Sequence, residues 1–132
     1  MFKAKDIMTK KVVTVKEKCP VYDAMNMLIN NNITGLPVVD AKNELVGMLS
    51  EKDMLNILYN DDVADKTVDE MMTHEVISFD ETDNIVEICD CLMGNNFRRV
   101  PITSDGKLVG IISRRDLVRF ILKIRKKTTA KK

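Results

Sequence analysis

The chain has one histidine, three cysteines and no tryptophan in 132 residues. With His74 alone, between Thr73 and Glu75, no Ser–His–Asp or Cys–His grouping can form, and such groupings need an imidazole to take the nucleophile's proton. Three cysteines cannot all pair, and Cys89 and Cys91 stand two apart in a helical pattern that points them in different directions. No His/Cys cluster has zinc-ligand spacing, so Cys89 reads as a small core residue and no metal site is expected. No stretch matches the G-x-x-x-x-G-K-[ST] phosphate loop. The longest apolar stretches, such as LVGII at 108–112, fall far short of the roughly 18 to 20 residues that span a membrane. The charged opening MFKAKDIMTKK has no apolar run behind it, so it is not read as a secretory signal. These absences lead us to expect a cytoplasmic protein that is not an enzyme, has no catalytic cofactor and does not enter a membrane.

What is present suits a folded protein: 45% of residues are hydrophobic and 31% charged. The formal charge of +1 hides an asymmetry, because KIRKKTTAKK at 123–132 holds six Lys or Arg and no acid, leaving about −5 for residues 1–122. Such a tail suits a solvated, flexible terminus, with contact to nucleic-acid phosphates as the alternative.

The chain also says the same thing twice: GMLSEKDML at 47–55 returns as GIISRRDLV at 110–118. An offset of 64 lays DIMTKKVVTV (6–15) over EMMTHEVISF (70–79) and PVYDAMNMLINNN (20–32) over NIVEICDCLMGNN (84–96). The offset drops to 63 between VVDAKNELVG and ITSDGKLVG, a length change that a hairpin turn tolerates. Identical pairs run along the whole unit, among them Met8 with Met72, Gly47 with Gly110, Ser50 with Ser113 and Asp53 with Asp116.

Each copy resolves into the same elements. VVTV and VISF are β-branched or aromatic runs suited to a strand. Val21, Ala24, Met25, Leu28 and Ile29, matched by Ile85, Ile88, Cys89, Leu92 and Met93, mark one apolar helix face. Pro20 suits the first helical position, Asp83 the N-cap of the second helix, and Asn-rich ends stop both. Two strands follow, LPVV to LVGML and VPIT to LVGII, the second pair joined through Asp105-Gly106, a strong hairpin signal. A helix closes each unit. The fold class is therefore α/β (α+β), two tandem β-α-β-β-α repeats at 4–61 and 67–122, with a linker at 62–66 and the basic tail at 123–132. Units of about 55 residues bury too little surface to be comfortable alone, so the two should pack through their sheets about a pseudo-twofold axis, leaving a cleft between related junctions.

Those strand-to-helix junctions are where polar chemistry gathers. A helix N-terminus exposes unpaired N–H groups and partial positive charge, a natural anion site. Ser50 and Ser113 stand there and can donate to a phosphate oxygen, while Asp53 and Asp116, three residues on, can accept from a ribose diol. The same spacing is also a capping box, with the acid folded back onto the serine N–H. Both readings stand at this level.

Two copies of G-h-h-S-x-x-D, each preceded by an h-P-h strand (GLPVVD, RVPITSD) and a D/E-h-M-T opening, resemble the paired cystathionine beta-synthase (CBS) domains of the Bateman module, over residues 4–122. The resemblance implies a regulatory module that binds AMP, ADP, ATP or S-adenosylmethionine between repeats. It assigns the ribose to Asp53 and Asp116, and phosphate to Ser50 and Ser113. It makes Val12, Leu36 and Pro37 the adenine wall of one site, and Val76, Val100 and Pro101 that of the other. Arg99 falls where some members of the family hold phosphate, and with Arg98, Arg114 and Arg115 it should favour a phosphorylated ligand in the second site. The resemblance further implies a homodimer and an effector that is a separate protein. A ligand-free dimerisation or interaction module is the alternative.

Overall fold

The protein is described here by a computed structural model that covers residues 2–59, 65–96 and 98–130, with side chains as far as Lys127. Residues 60–64, at the end of the expected first repeat and in its linker, and the tail's Lys131 and Lys132 lie outside the described residues.

In the first repeat the β-branched runs pair as a three-stranded sheet in the order β1-β2-β3. β1 (Val15–Lys16) lies parallel to β2 (Gly35–Val39), and β2 lies antiparallel to β3 (Leu45–Ser50), with Gly35 opposite Ser50 and Pro37 opposite Met48. A proline in a middle strand needs a reason, since it has no N–H for the ladder. Here β1 reaches only Val38 and Val39, and the Met48 N–H points away from β2 to the Thr73 carbonyl at 3.0 Å. The bare Pro37 nitrogen therefore faces a stretch where no strand pairs. The second repeat repeats the device. In its sheet, ordered β4-β5-β6, β4 (Phe79–Asp80) pairs parallel with Ile102 and Thr103 of β5 (Arg99–Ser104), one residue past Pro101. β5 leads into β6 (Lys107–Ser113) through Asp105 and Gly106 at φ 51° and 82°, two left-handed residues as a tight hairpin requires.

The helices pack their apolar stripes on these sheets, after a short α1 (Ala4–Ile7). α2 (Val21–Asn30) buries Val21, Ala24 and Leu28, and α4 (Ile85–Gly94) buries Ile88 and Leu92. The expected stripe is narrower than its pattern, because Ile29 and Met93, at its far edge, are 76% and 80% exposed. The α4 cap is Asn84 rather than Asp83: the Asn84 side chain accepts from the Val86 N–H at 2.9 Å, while Asp83 accepts from the Asp80 N–H at 2.8 Å and closes the turn after β4. α3 (Glu51–Leu55) is short and passes into a 3-10 turn, Asn56–Tyr59. α5 (Arg114–Ala130) is long, so the basic stretch from 123 continues a helix where a flexible tail was expected. Its Lys and Arg are good helix formers, and Phe120 and Ile124 continue an apolar strip one turn apart.

The chain forms two compact bodies whose boundaries cross those of the repeats. One comprises residues 1–12, 77–105 and 109–132; the other comprises 13–76 and 106–108. Each opening segment thus folds with the sheet of the other copy: Thr9 pairs with Ile111, and Thr73 with Met48. The core of the first body is Ala4, Ile88, Leu92, Val100, Ile102 and Ile112. That of the second gathers Val15, Val21, Leu28, Leu36, Val38, Leu49 and Val68 among others. The VVTV and VISF runs shrink to two-residue strands because they carry the chain from one body into the other, at 12–13 and 76–77.

In the second body Lys18 Nζ lies 2.6 Å from Asp69 Oδ2. This contact, with the Thr67 hydroxyl, holds the Asp69 carboxyl below its ordinary value, and Asp69 in turn raises the Lys18 ammonium. A depressed carboxyl contributes stability that is present above the unfolded value of about 3.9 and is lost as pH falls through the folded one. Denaturant titrations should therefore find Asp69→Asn less stable than the parent chain at pH 7, with the difference shrinking as pH falls below about 3.9.

Candidate functional site

Both Ser-x-x-Asp junctions form the capping box. At α3, the Ser50 N–H and hydroxyl donate to Asp53 Oδ2 at 2.9 and 3.0 Å, and the Asp53 N–H donates back to Ser50 Oγ at 3.2 Å. At α5 the same three bonds join Ser113 and Asp116 at 2.8, 3.0 and 3.1 Å. The Glu51 and Arg114 amides go to the carbonyls of Thr34 and Arg98. Most first-turn donors are thus engaged, so neither helix end offers an anion a row of bare amides.

The two junctions differ in what surrounds them. Asp116 is 9% exposed, and its second oxygen accepts from the Thr9 hydroxyl at 3.1 Å and from Arg119 Nη1 at 3.5 Å. Asp53 is only half-buried, and among the described residues neither Thr73 nor a cation bonds it. Thr9 reaches Asp116 because its N–H and carbonyl pair with Ile111 at 2.9 and 3.0 Å, laying the opening segment across β6. Gly110 permits this approach, since a Cβ there would stand 2.5 Å from Met8 Sδ; Gly47 does the same under Met72. Removing the bond in Thr9→Val should cost about 1 kcal/mol of unfolding free energy, whereas Thr73→Val should change little. Urea unfolding of the two variants side by side checks the asymmetry.

Around the Ser113–Asp116 junction lies a cavity of about 490 Å³, all within the first body, lined by Thr9, Ile111, Ser113 and Asp116 together with Arg98, Arg99, Arg114, Arg115 and Arg119. The structure thus gathers Ser113, Asp116, Arg99, Arg114 and Arg115 as the sequence suggests, and adds Thr9 and Arg119. Arg114 is partly committed elsewhere: its Nη2 donates to the Leu92 and Asn95 carbonyls at 2.8 and 3.1 Å, closing the C-terminus of α4, so it is no simple phosphate ligand. The expected adenine walls are regrouped. Val12 belongs to the body of Val100 and Pro101, and Val76 to that of Leu36 and Pro37, because the opening segments exchange sheets. Leu36, Pro37, Val100 and Pro101 are buried in strand cores, and Val12 and Val76 are half-buried. Among the described residues, no three His, Cys, Asp or Glu side chains gather as metal ligands, and no helix is long and apolar enough to cross a membrane.

The sequence profile of the CBS domain matches the chain twice, over residues 4–60 and 68–123. The chain belongs to the CBS domain family. A 17.7 kDa protein in the bps2 3′ region of Acidianus ambivalens is 35% identical over 123 residues, covering 92% of this CBS chain and 74% of that protein. Other relatives are longer: the chain spans 42% of protein MJ1225 and 23% of inosine-5′-monophosphate dehydrogenase, both of Methanocaldococcus jannaschii, at 28% and 34% identity. Among solved structures, CBSX2 of Arabidopsis thaliana in complex with AMP is 32% identical with a TM-score of 0.86, over 95% of this chain and 99% of that one. The CBS pair of protein MJ0100, in complex with 5′-methylthioadenosine and S-adenosyl-L-methionine, is 30% identical with a TM-score of 0.76, over 92% and 96%.

Proposed function

We propose that this CBS pair is a regulatory module whose Ser113–Asp116 junction takes a phosphorylated adenosyl ligand. The observation that carries the reading is a buried carboxylate, Asp116, set in a cavity with four further arginines besides the Arg119 that touches it. A ribose diol takes the place of the Thr9 hydroxyl and Arg119 on the Asp116 carboxylate, and Arg98, Arg99 and Arg115 neutralise phosphate. The complexes of CBSX2 with AMP and of MJ0100 with S-adenosyl-L-methionine support the adenosyl class. The arginine count favours AMP, ADP or ATP over S-adenosylmethionine, whose sulfonium is itself a cation. The ligand would bias an equilibrium that a partner reads, so the output is binding rather than turnover. A thermal-shift panel of AMP, ATP and S-adenosylmethionine tests this. A ligand at a hundred times its Kd adds about 2.7 kcal/mol of stability. Stabilisation by the phosphorylated ligands is the expected result; none by any of the three contradicts it.

A homodimer is the assembly we infer, from one observation. α4 and α5 leave Met93, Val118 and Ile121 exposed around an apolar hollow of about 410 Å³, and Val86 of α4 is exposed as well. Light scattering should give twice the chain mass, and Ile121→Asp should return it to one.

A further inference from the structure

A second hollow in the first body adjoins the Ser113–Asp116 cavity, sharing Asp116 and Arg119 with it, and its apolar walls are its own. It measures about 430 Å³ and runs between α1 and the C-terminal half of α5. Phe2, Ile7, Phe120 and Ile124 form its apolar walls, and the Phe2 and Phe120 rings meet edge to face at 4.6 Å. Arg119, Lys123 and Lys127, one helical turn apart, follow one edge beside Phe120 and Ile124. Two acids also line it: Asp6 accepts from the Lys3 N–H at 2.9 Å, and Asp116 closes its cap and pairs with Arg119, so three cations stand against two carboxylates. Among the described residues Lys123 and Lys127 have no acidic partner. A few hundred Å³ with four aromatic or aliphatic residues on its walls and charged groups along its edge has the chemistry of a site for an amphipathic small molecule. Uncompensated cations along one edge of an apolar floor call for an amphipathic anion.

We propose that this groove binds a free medium-chain fatty acid, its alkyl chain against Phe2, Ile7, Phe120 and Ile124 and its carboxylate paired with Lys123 and Lys127. The concave shape suits a single chain better than a flat bilayer surface. Titration calorimetry of the full chain with decanoate, decanol and acetate, below micelle-forming concentrations, tests the assignment. Decanoate should bind about threefold to fivefold more tightly than decanol, the worth of an ion pair to an exposed lysine, and acetate should not bind measurably. Ile124→Asp should abolish decanoate binding. Ile124 is 38% exposed, and a Lys123→Glu/Lys127→Glu double variant, changed only at exposed positions, should lose the preference for decanoate over decanol even if the first variant folds poorly. Equal binding of decanol and decanoate, decanoate binding that survives both variants, or no decanoate binding by a chain that sediments with phosphatidylglycerol vesicles would each overturn the proposal.

Discussion

Replacing Asp116 by alanine should lower AMP affinity about a hundredfold and cost about 2 kcal/mol of folding stability. The stability loss follows from the cap. Asp116 Oδ2 accepts from the Ser113 N–H and hydroxyl, and Oδ1 accepts from Thr9, so truncation strands donors at the start of α5 and unpins the opening segment. The affinity loss follows from the proposed ribose contact, since two hydrogen bonds to a charged acceptor at about 1.5 kcal/mol each amount to roughly a hundredfold. Asp53→Ala is the internal control. It removes the equivalent cap but no Thr9-like bond and no cavity lined by five arginines, so it should lose stability and leave AMP affinity at the Ser113–Asp116 junction intact. Calorimetry well below the unfolding temperature separates the two effects; equal affinity losses in both variants would refute the assignment to one junction.

Gly47→Ala should destabilise the chain by about 3 kcal/mol, more than Gly110→Ala. A Cβ at Gly47 would stand 2.4 Å from Met72 Sδ and 2.9 Å from the Thr73 carbonyl oxygen, whereas at Gly110 the three nearest atoms are Sδ, Cγ and Cβ of Met8, at 2.5, 2.8 and 3.0 Å. A thioether can swing aside, but the Thr73 carbonyl is fixed by its bond from the Met48 N–H, so the ladder itself must give. Gly110→Ala should cost nearer 1 kcal/mol, yet it shifts Met8 and hence Thr9, so its effect should appear partly as a weakened Thr9–Asp116 contact. Urea denaturation of both variants gives the order, and a reversed order would mean that the opening segments are not seated against β3 and β6 as described.

Much of this was legible in the residues. The repeat, the element order and the Asp105-Gly106 hairpin rest on local signals, namely period, β-branching and turn chemistry, and those are fixed by neighbours in the sequence. The Ser-x-x-Asp junctions were legible as both cap and site, and the structure shows the cap. What escaped was non-local. Nothing in DIMTKKVVTV tells which sheet Thr9 will join, or that Val12 falls in the same compact body as Val100 and Pro101. The D/E-h-M-T openings did mark Thr9 as repeated, and the glycines at 47 and 110 were the remaining clue that a segment crosses there. Ile29 and Met93 keep helical spacing yet lie outside, because a three-stranded sheet covers a narrower stripe than the pattern spans. Arg114 was grouped with the phosphate ligands because sequence cannot show that α4 ends beside it. The helical course of 123–130 was signalled by Phe120 and Ile124, a turn apart, but outweighed by the charge of the segment.

Whether Asp116 receives a ribose in the arginine-lined cavity is decided by a crystal structure of the full chain grown with AMP. The expected density puts the 2′- and 3′-hydroxyls on the Asp116 carboxylate, the Thr9 hydroxyl displaced from Oδ1, and the phosphate among Arg98, Arg99 and Arg115. AMP bound away from Asp116, with the Thr9–Asp116 bond intact, would contradict it.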